Sequence, residues 1–92
     1  MKNKKISKFN KLLKIPEEVV TDIPKITTLG FKKLAIENYK NILEYQDIFI
    51  RINTVIGVIN ISGINLKMEE MTVDDIVIEG IIDNIEFEEL EE

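Results

Sequence analysis

Two pairs of neighbouring carboxylates, Glu69-Glu70 and Asp74-Asp75, come nearest in this chain to a grouping that could do reaction chemistry. Carboxylates held close together serve general acid–base hydrolysis or bind a divalent cation. Two features speak against that use. Adjacent residues of a strand point to opposite faces, and Asp74-Asp75 falls between two Ile- and Val-rich runs, where a solvated turn belongs. The chain has no His and no Cys, so it lacks the commonest general base, the commonest zinc ligand and any thiolate. It contains no glycine-rich phosphate loop, no nucleophile elbow and no metal-ligand spacing. The expectation is a protein that is not an enzyme and that uses no cofactor and no metal.

The charge pattern points to binding instead. Residues 1–14 carry six lysines (Lys2, Lys4, Lys5, Lys8, Lys11 and Lys14) and no acid. The remainder carries six Lys and Arg against all 17 Asp and Glu, a net charge of −11. Blocks of one sign select partners more than they build a core. Within the block, Ile6, Phe9 and Leu13 recur at spacings of three and four around a stripe flanked by Leu12, with Lys4, Lys5, Lys8 and Lys11 on the other side. That is the pattern of a short amphipathic helix of about three turns, too short to be stable alone in water. The segment is therefore read as a basic arm, helical or disordered. It is suited to an anionic membrane surface, where each lysine contributes about 1 kcal/mol, or to a protein partner, or to the chain's own acidic remainder. Nucleic acid fits poorly, because the arm has no Arg and only Phe9 for stacking, and the rest of the chain repels phosphate.

At 92 residues the chain is one domain at most, near the size at which a single core is just sufficient. No apolar run approaches a membrane span, and lysines interrupt the basic leader before any signal-peptide core forms. The division is an arm at 1–14 and one domain at 15–92. From Lys25 onward, apolar and β-branched residues alternate with period two. The alternation predicts strands at about 25–29, 33–38, 42–46, 48–53, 56–61, 64–71, 75–79 and 81–88, joined by short turns, including one at Ser62-Gly63. Ile48, Ile50 and Ile52 are expected on one face, as are Ile64, Leu66 and Met68. The apolar phase slips between Ile78 and the set Ile81, Ile85 and Phe87, and Gly80 is the natural place for a bulge that absorbs it. The run Ile59-Asn60-Ile61-Ser62-Gly63-Ile64 echoes Ile76-Val77-Ile78-Glu79-Gly80-Ile81, which suggests two bent or hairpin-linked strand pairs. The fold class is mostly β: a small antiparallel meander, as a sandwich or partly closed barrel, with the N-terminal arm before it. Its acidic end discourages edge-to-edge pairing.

Two stretches have a familiar pattern. One is Ile15-Pro16-Glu17-Glu18-Val19-Val20-Thr21-Asp22-Ile23-Pro24-Lys25-Ile26-Thr27, followed by Gly30. The other is Leu34-Ala35-Ile36-Glu37-Asn38-Tyr39-Lys40-Asn41-Ile42. Together they resemble the YabP/YqfC family of sporulation proteins, over about residues 12–87. Pro16, Asp22, Pro24, Glu37 and Asn38 carry the motif. Tyr39 stands where the family pattern has His, and Asn41 where it has Gly. Asn tolerates a left-handed backbone, so a turn at Asn41 is compatible with the pattern. Asp22 and Asn38 are read as residues that fix turns through side-chain bonds to the backbone, or else as part of a shared docking surface. The resemblance implies a small protein of endospore-forming bacteria, made in the mother cell and encoded beside a membrane-bound sporulation protein.

The function expected from these readings is that of a non-enzymatic sporulation accessory protein. It binds a membrane-protein partner at the mother-cell face of a membrane. It is cytoplasmic or peripheral, and Lys2, Lys4, Lys5, Ile6, Lys8, Phe9, Lys11, Leu13 and Lys14 assist recruitment to partner or lipid. The alternative is a self-associating structural module of a spore layer, a homo-oligomer built through exposed β edges.

Overall fold

The computed structural model describes residues 22–89. Six strands form one antiparallel sheet: β1 (Lys25–Leu29), β2 (Lys33–Glu37), β3 (Asn41–Gln46), β4 (Phe49–Asn53), β5 (Gly57–Met71) and β6 (Asp75–Glu89). Their order in the sheet is β1-β2-β6-β5-β4-β3. No helix occurs among the described residues. The arm at 1–14 and Pro16 lie outside them. The mostly β, antiparallel class is as expected, and the sheet is not closed: β1 and β3 are its edges. A strictly sequential meander is interrupted once, because β2 and β3 attach to opposite sides of the β5–β6 hairpin.

That hairpin organises everything else. The β1–β2 hairpin pairs with β6 over Asp75–Glu79, and the β3–β4 hairpin pairs with β5 over Val58–Ser62. Each end of the long ribbon thus carries one short hairpin, and the two are on opposite edges. The core joins both ends. Leu34, Ile36, Ile76 and Ile78 come from one half, and Ile50, Ile52, Ile59 and Ile61 from the other; Leu66 completes the cluster. Two inner faces sharing one cluster means that the sheet folds over itself as a sandwich. The alternation explains the choice of residues: in β2 and β4 every second side chain is buried. Each fully buried Ile or Leu contributes about 1.5–3 kcal/mol relative to exposure.

The fold-over occurs at a crease in the middle of β5 and β6, and there the structure departs from the expected pattern. The four predicted strands at 56–61, 64–71, 75–79 and 81–88 are two long strands, and Ser62-Gly63 is a bend within β5, not a turn. Register slips replace chain reversals. Ser62 pairs with Asn84 but Gly63 pairs with Ile82, so Asp83 is left over. Ile64 pairs with Ile81 and Lys67 with Glu79, so two residues of β5 face Gly80. Asn65 takes a left-handed conformation there (φ 55°). The phase change in β6 consequently sits at Asp83 and not at Gly80: Ile82 packs against the core in phase with Ile78, and Ile81 points away. For the same reason Ile64 does not share the buried face of Leu66 and Met68. Ile48 likewise leaves the face of Ile50 and Ile52, because it belongs to the β3–β4 turn. The left-handed position of the β2–β3 connection is Asn38 (φ 65°), and Asn41 is ordinary strand.

Both glycines of the crease are required by close approach. A Cβ on Gly63 would lie 2.1 Å from the Ile81 carbonyl oxygen, and one on Gly80 2.7 Å from that of Asn65. Gly80 also has φ 148°, a conformation that side chains disfavour. The turns of the short hairpins tie the crease down. The N–H of Gly80 donates to the Lys32 carbonyl (3.1 Å) and that of Ile82 to the Phe31 carbonyl (2.8 Å). On the other strand, the N–H of Gly63 donates to the Ile48 carbonyl (3.1 Å) and that of Leu66 to the Asp47 carbonyl (2.8 Å).

Two consequences follow for stability. Gly63→Ala should cost about 1–3 kcal/mol, as steric insertion into a tight contact does, seen as a lower urea midpoint. Ile61→Ala should cost about 2–5 kcal/mol, whereas Ile64→Ala, three residues along the same strand, should stay within about 0.5 kcal/mol. Equal losses at positions 61 and 64 would contradict the crease.

Candidate functional site

The carboxylate pairs are absorbed by the fold. Glu69 occupies a bulge position and pairs with Lys33 at 3.2 Å. Asp74 and Asp75 close the β5–β6 turn, where their N–H groups donate to the Thr72 hydroxyl (3.2 and 2.9 Å). No group of three metal-ligating side chains converges among the described residues.

The motif residues gather at the same end of the β1–β2 half. Asn38 stands just beyond β2, and its side-chain amide donates to the Ile23 carbonyl (3.0 Å) across the start of β1. Its backbone N–H and that of Tyr39 both donate to the Asp74 carbonyl (2.7 and 3.1 Å). The Tyr39 hydroxyl donates to the Thr72 carbonyl (2.9 Å). One short connection therefore fastens the incoming chain and the β5–β6 turn together. Glu37 faces Lys25 across the β1–β2 ladder, at 4.0 Å with both side chains exposed, a pair of small energetic weight. Asp22 is exposed, and its side chain forms no hydrogen bond among the described residues. Pro24 is half-buried at the mouth of a groove described below. Lys2, Lys4, Lys5, Ile6, Lys8, Phe9, Lys11, Leu13, Lys14 and Pro16 lie outside the described residues.

Three surface features went unread in the sequence. The first is an apolar belt along the crease. Phe31 is 81% exposed, Ile48 56%, Ile64 50% and Ile81 47%. Ile64 and Ile81 are cross-strand partners, and Phe31 and Ile48 belong to the two turns hydrogen-bonded to the crease on either side. The four residues thus run in spatial order across the molecule, from one hairpin tip over the central ribbon to the other. Sequence alternation alone misplaces Ile48, Ile64 and Ile81 in the core, because it does not locate the bulges.

The second feature is polar. Arg51 donates through Nε to the Asn60 side-chain oxygen (3.0 Å), and the Asn60 amide donates to Glu88 (2.5 Å). Arg51 also lies 3.5 Å from Glu88. This row crosses β4, β5 and β6, and it satisfies Asn60, which is buried. The third is an apolar groove of about 330 Å³ at the end of the sandwich away from the crease, bounded by Pro24 and Ile26 on one side and by Ile56, Ile59 and Phe87 on the other.

The YabP family model matches residues 22–92. The chain is also 31% identical over 88 residues to the uncharacterized protein YqfC of Bacillus subtilis (strain 168), covering 96% of this chain and 95% of that protein. No solved structure matches it significantly. The matched span takes in the whole β sheet and its turns, and membership points to a sporulation-related protein. On both the profile and the full-length similarity, this chain belongs to the YabP family.

Proposed function

We propose that this protein is a non-enzymatic accessory of sporulation that docks on a membrane-bound sporulation protein at the mother-cell face of a membrane. The observation that carries the reading is the apolar belt Phe31, Ile48, Ile64 and Ile81. Single exposed apolar residues are ordinary, but a row of them along one seam supports reading it as a protein-contact surface. The arm of six lysines supplies a second attachment, to the anionic leaflet beside the partner. Two weak signals of this kind add up to reversible recruitment where neither alone suffices. The chain works from the cytoplasm as a peripheral protein.

A second reading, self-association into a spore layer, is favoured by the open edges. Among the described residues β1 and β3 each present an unpaired row of backbone groups, and Leu43 and Tyr45 on β3 are exposed. In this reading the particle grows with concentration, and a charge at Leu43 stops the growth. Sedimentation of the wild-type chain and Leu43→Lys across a concentration series separates the two readings.

Recruitment has its own test in two parts. On anionic vesicles at low salt, the full chain should float. A variant with all six lysines of the arm changed to Gln should lose more than about a hundredfold in partitioning, and high salt should reproduce that loss. In sporulating cells, a fluorescent fusion should outline a membrane from the mother-cell side, and Phe31→Asp with Ile64→Asp should release it while leaving vesicle binding intact. Uniform fluorescence of the wild-type fusion would rule out the proposed function.

A further inference from the structure

The groove at the open end has an occupant within the same chain. Half-buried Pro24 and Ile26 form one wall. The other wall is Ile56, 49% exposed, Ile59, and Phe87, 65% exposed although it is paired with the buried Ile59. Phe87 is an aromatic ring on the same face as buried Ile59, across the groove from Pro24 and Ile26 and left largely exposed by them. A cleft of this volume with apolar walls is a binding site for apolar side chains.

We propose that residues 4–14 of this chain dock in this groove, with Ile6, Phe9 and Leu13 facing Phe87 and Ile56. Three observations select this segment over other occupants. The chain enters the described structure at Asp22 and lines the groove from Pro24. Residues 15–21 are a tether of seven residues, with a reach of up to about 23 Å. Ile6, Phe9 and Leu13 form the one apolar stripe in the preceding segment that is edged by lysines. The rim is acidic: Glu89 lines the groove and is exposed, and Asp22 stands two residues from Pro24. The C-terminal residues Leu90, Glu91 and Glu92 also adjoin the groove in sequence, but two acids beside Glu88 and Glu89 repel one another where six lysines are attracted. Tethering makes weak contacts sufficient. With an effective concentration near 1 mM, a contact of about 0.1 mM intrinsic affinity closes the groove in about nine of ten molecules.

This inference is independent of lipid or partner binding, since the contact forms in solution without either. It gives the arm a resting place from which a competing anionic surface draws it. The chain has no Trp and no Cys, so both reporters can be placed singly. In full-length Phe87→Trp, the indole should be shielded from acrylamide at low salt and at micromolar protein, with the same quenching on dilution. Adding Phe9→Asp and Leu13→Asp should raise the quenching constant severalfold, and high salt should raise it partly. In a separate full-length variant, Asn10→Cys with Glu89→Cys should form an intramolecular disulfide under mild oxidation, while Asn10→Cys with Leu43→Cys on the far edge should not. An indole equally exposed in all variants overturns the proposal, as does equal cross-linking at both sites. Shielding lost on dilution would assign the groove to a second copy. Shielding that survives the Phe9 and Leu13 changes but is lost in Val19→Asp/Val20→Asp would assign it to residues 15–20. Either result rejects the arm.

Discussion

The structure depends on the close approach of two backbones at the crease. A flat six-strand sheet of this length would leave one whole Ile-rich face in water, and the described residues hold no second layer to cover it. The chain covers that face with itself. For the ribbon of β5 and β6 to fold over, opposing backbones must meet within a distance that excludes a Cβ, and Gly63 and Gly80 permit it. Leu66, buried between them, fills the inside of the bend. A two-stranded hairpin is marginal in isolation. The short hairpins are held because each gains a ladder with the long ribbon and then anchors its turn on the crease through two carbonyls. Removing the bend would therefore cost more than the bend itself, since it separates the two inner faces that make the core.

Once the crease is fixed, the rest of the chain has limited freedom. The connection from β2 to β3 must pass from one half of the sandwich to the other, and a left-handed residue, Asn38, turns it. The same residue secures Ile23, so the entry of the chain and the passage between halves are joined at one point. The polar row Arg51, Asn60 and Glu88 lies across the other half, where bonds to charged partners stabilise the buried amide. These contacts are structural, and they position the two surfaces left open: the belt outside the crease and the groove at the opposite end.

Much of this was legible beforehand. Period-two alternation located the four short strands β1 to β4 to within a residue, because each has one wet and one dry face, but it divided each of β5 and β6 in two. The echo between the runs ending Gly63-Ile64 and Gly80-Ile81 has a structural cause: these are the inner strands of the two halves, each entering the crease at its glycine. The errors share one cause. A bulge shifts phase by one residue without changing composition, so Ile64 and Ile81 read as core, and Ser62-Gly63 read as a reversal. The sequence supplied Gly80 as a site for the slip, but the slip itself depends on which residue of the partner strand goes unpaired, and alternation along one strand does not contain that. The groove was illegible for a related reason, because its walls come from positions more than sixty residues apart, Pro24 and Phe87.

The belt and the crease must be distinguished, because one is a requirement of folding and the other is not. The outside of a sharp bend is poorly shielded: neighbouring side chains splay apart, and whatever stands there meets water. The fold demands glycine at 63 and 80, but it places no demand for an apolar side chain at 64 or 81, which contribute little to the core. The positions beside them are polar, Asn65 and Lys67 on one strand and Glu79 and Asp83 on the other, so polar residues are readily accommodated at this bend. Phe31 and Ile48 sit in turns whose hydrogen bonds to the crease use only their carbonyls, leaving the side chain unconstrained. Four exposed apolar residues at four positions where the fold is indifferent to side-chain type, aligned over the crease, support the proposed contact surface, since the architecture gives no reason for them.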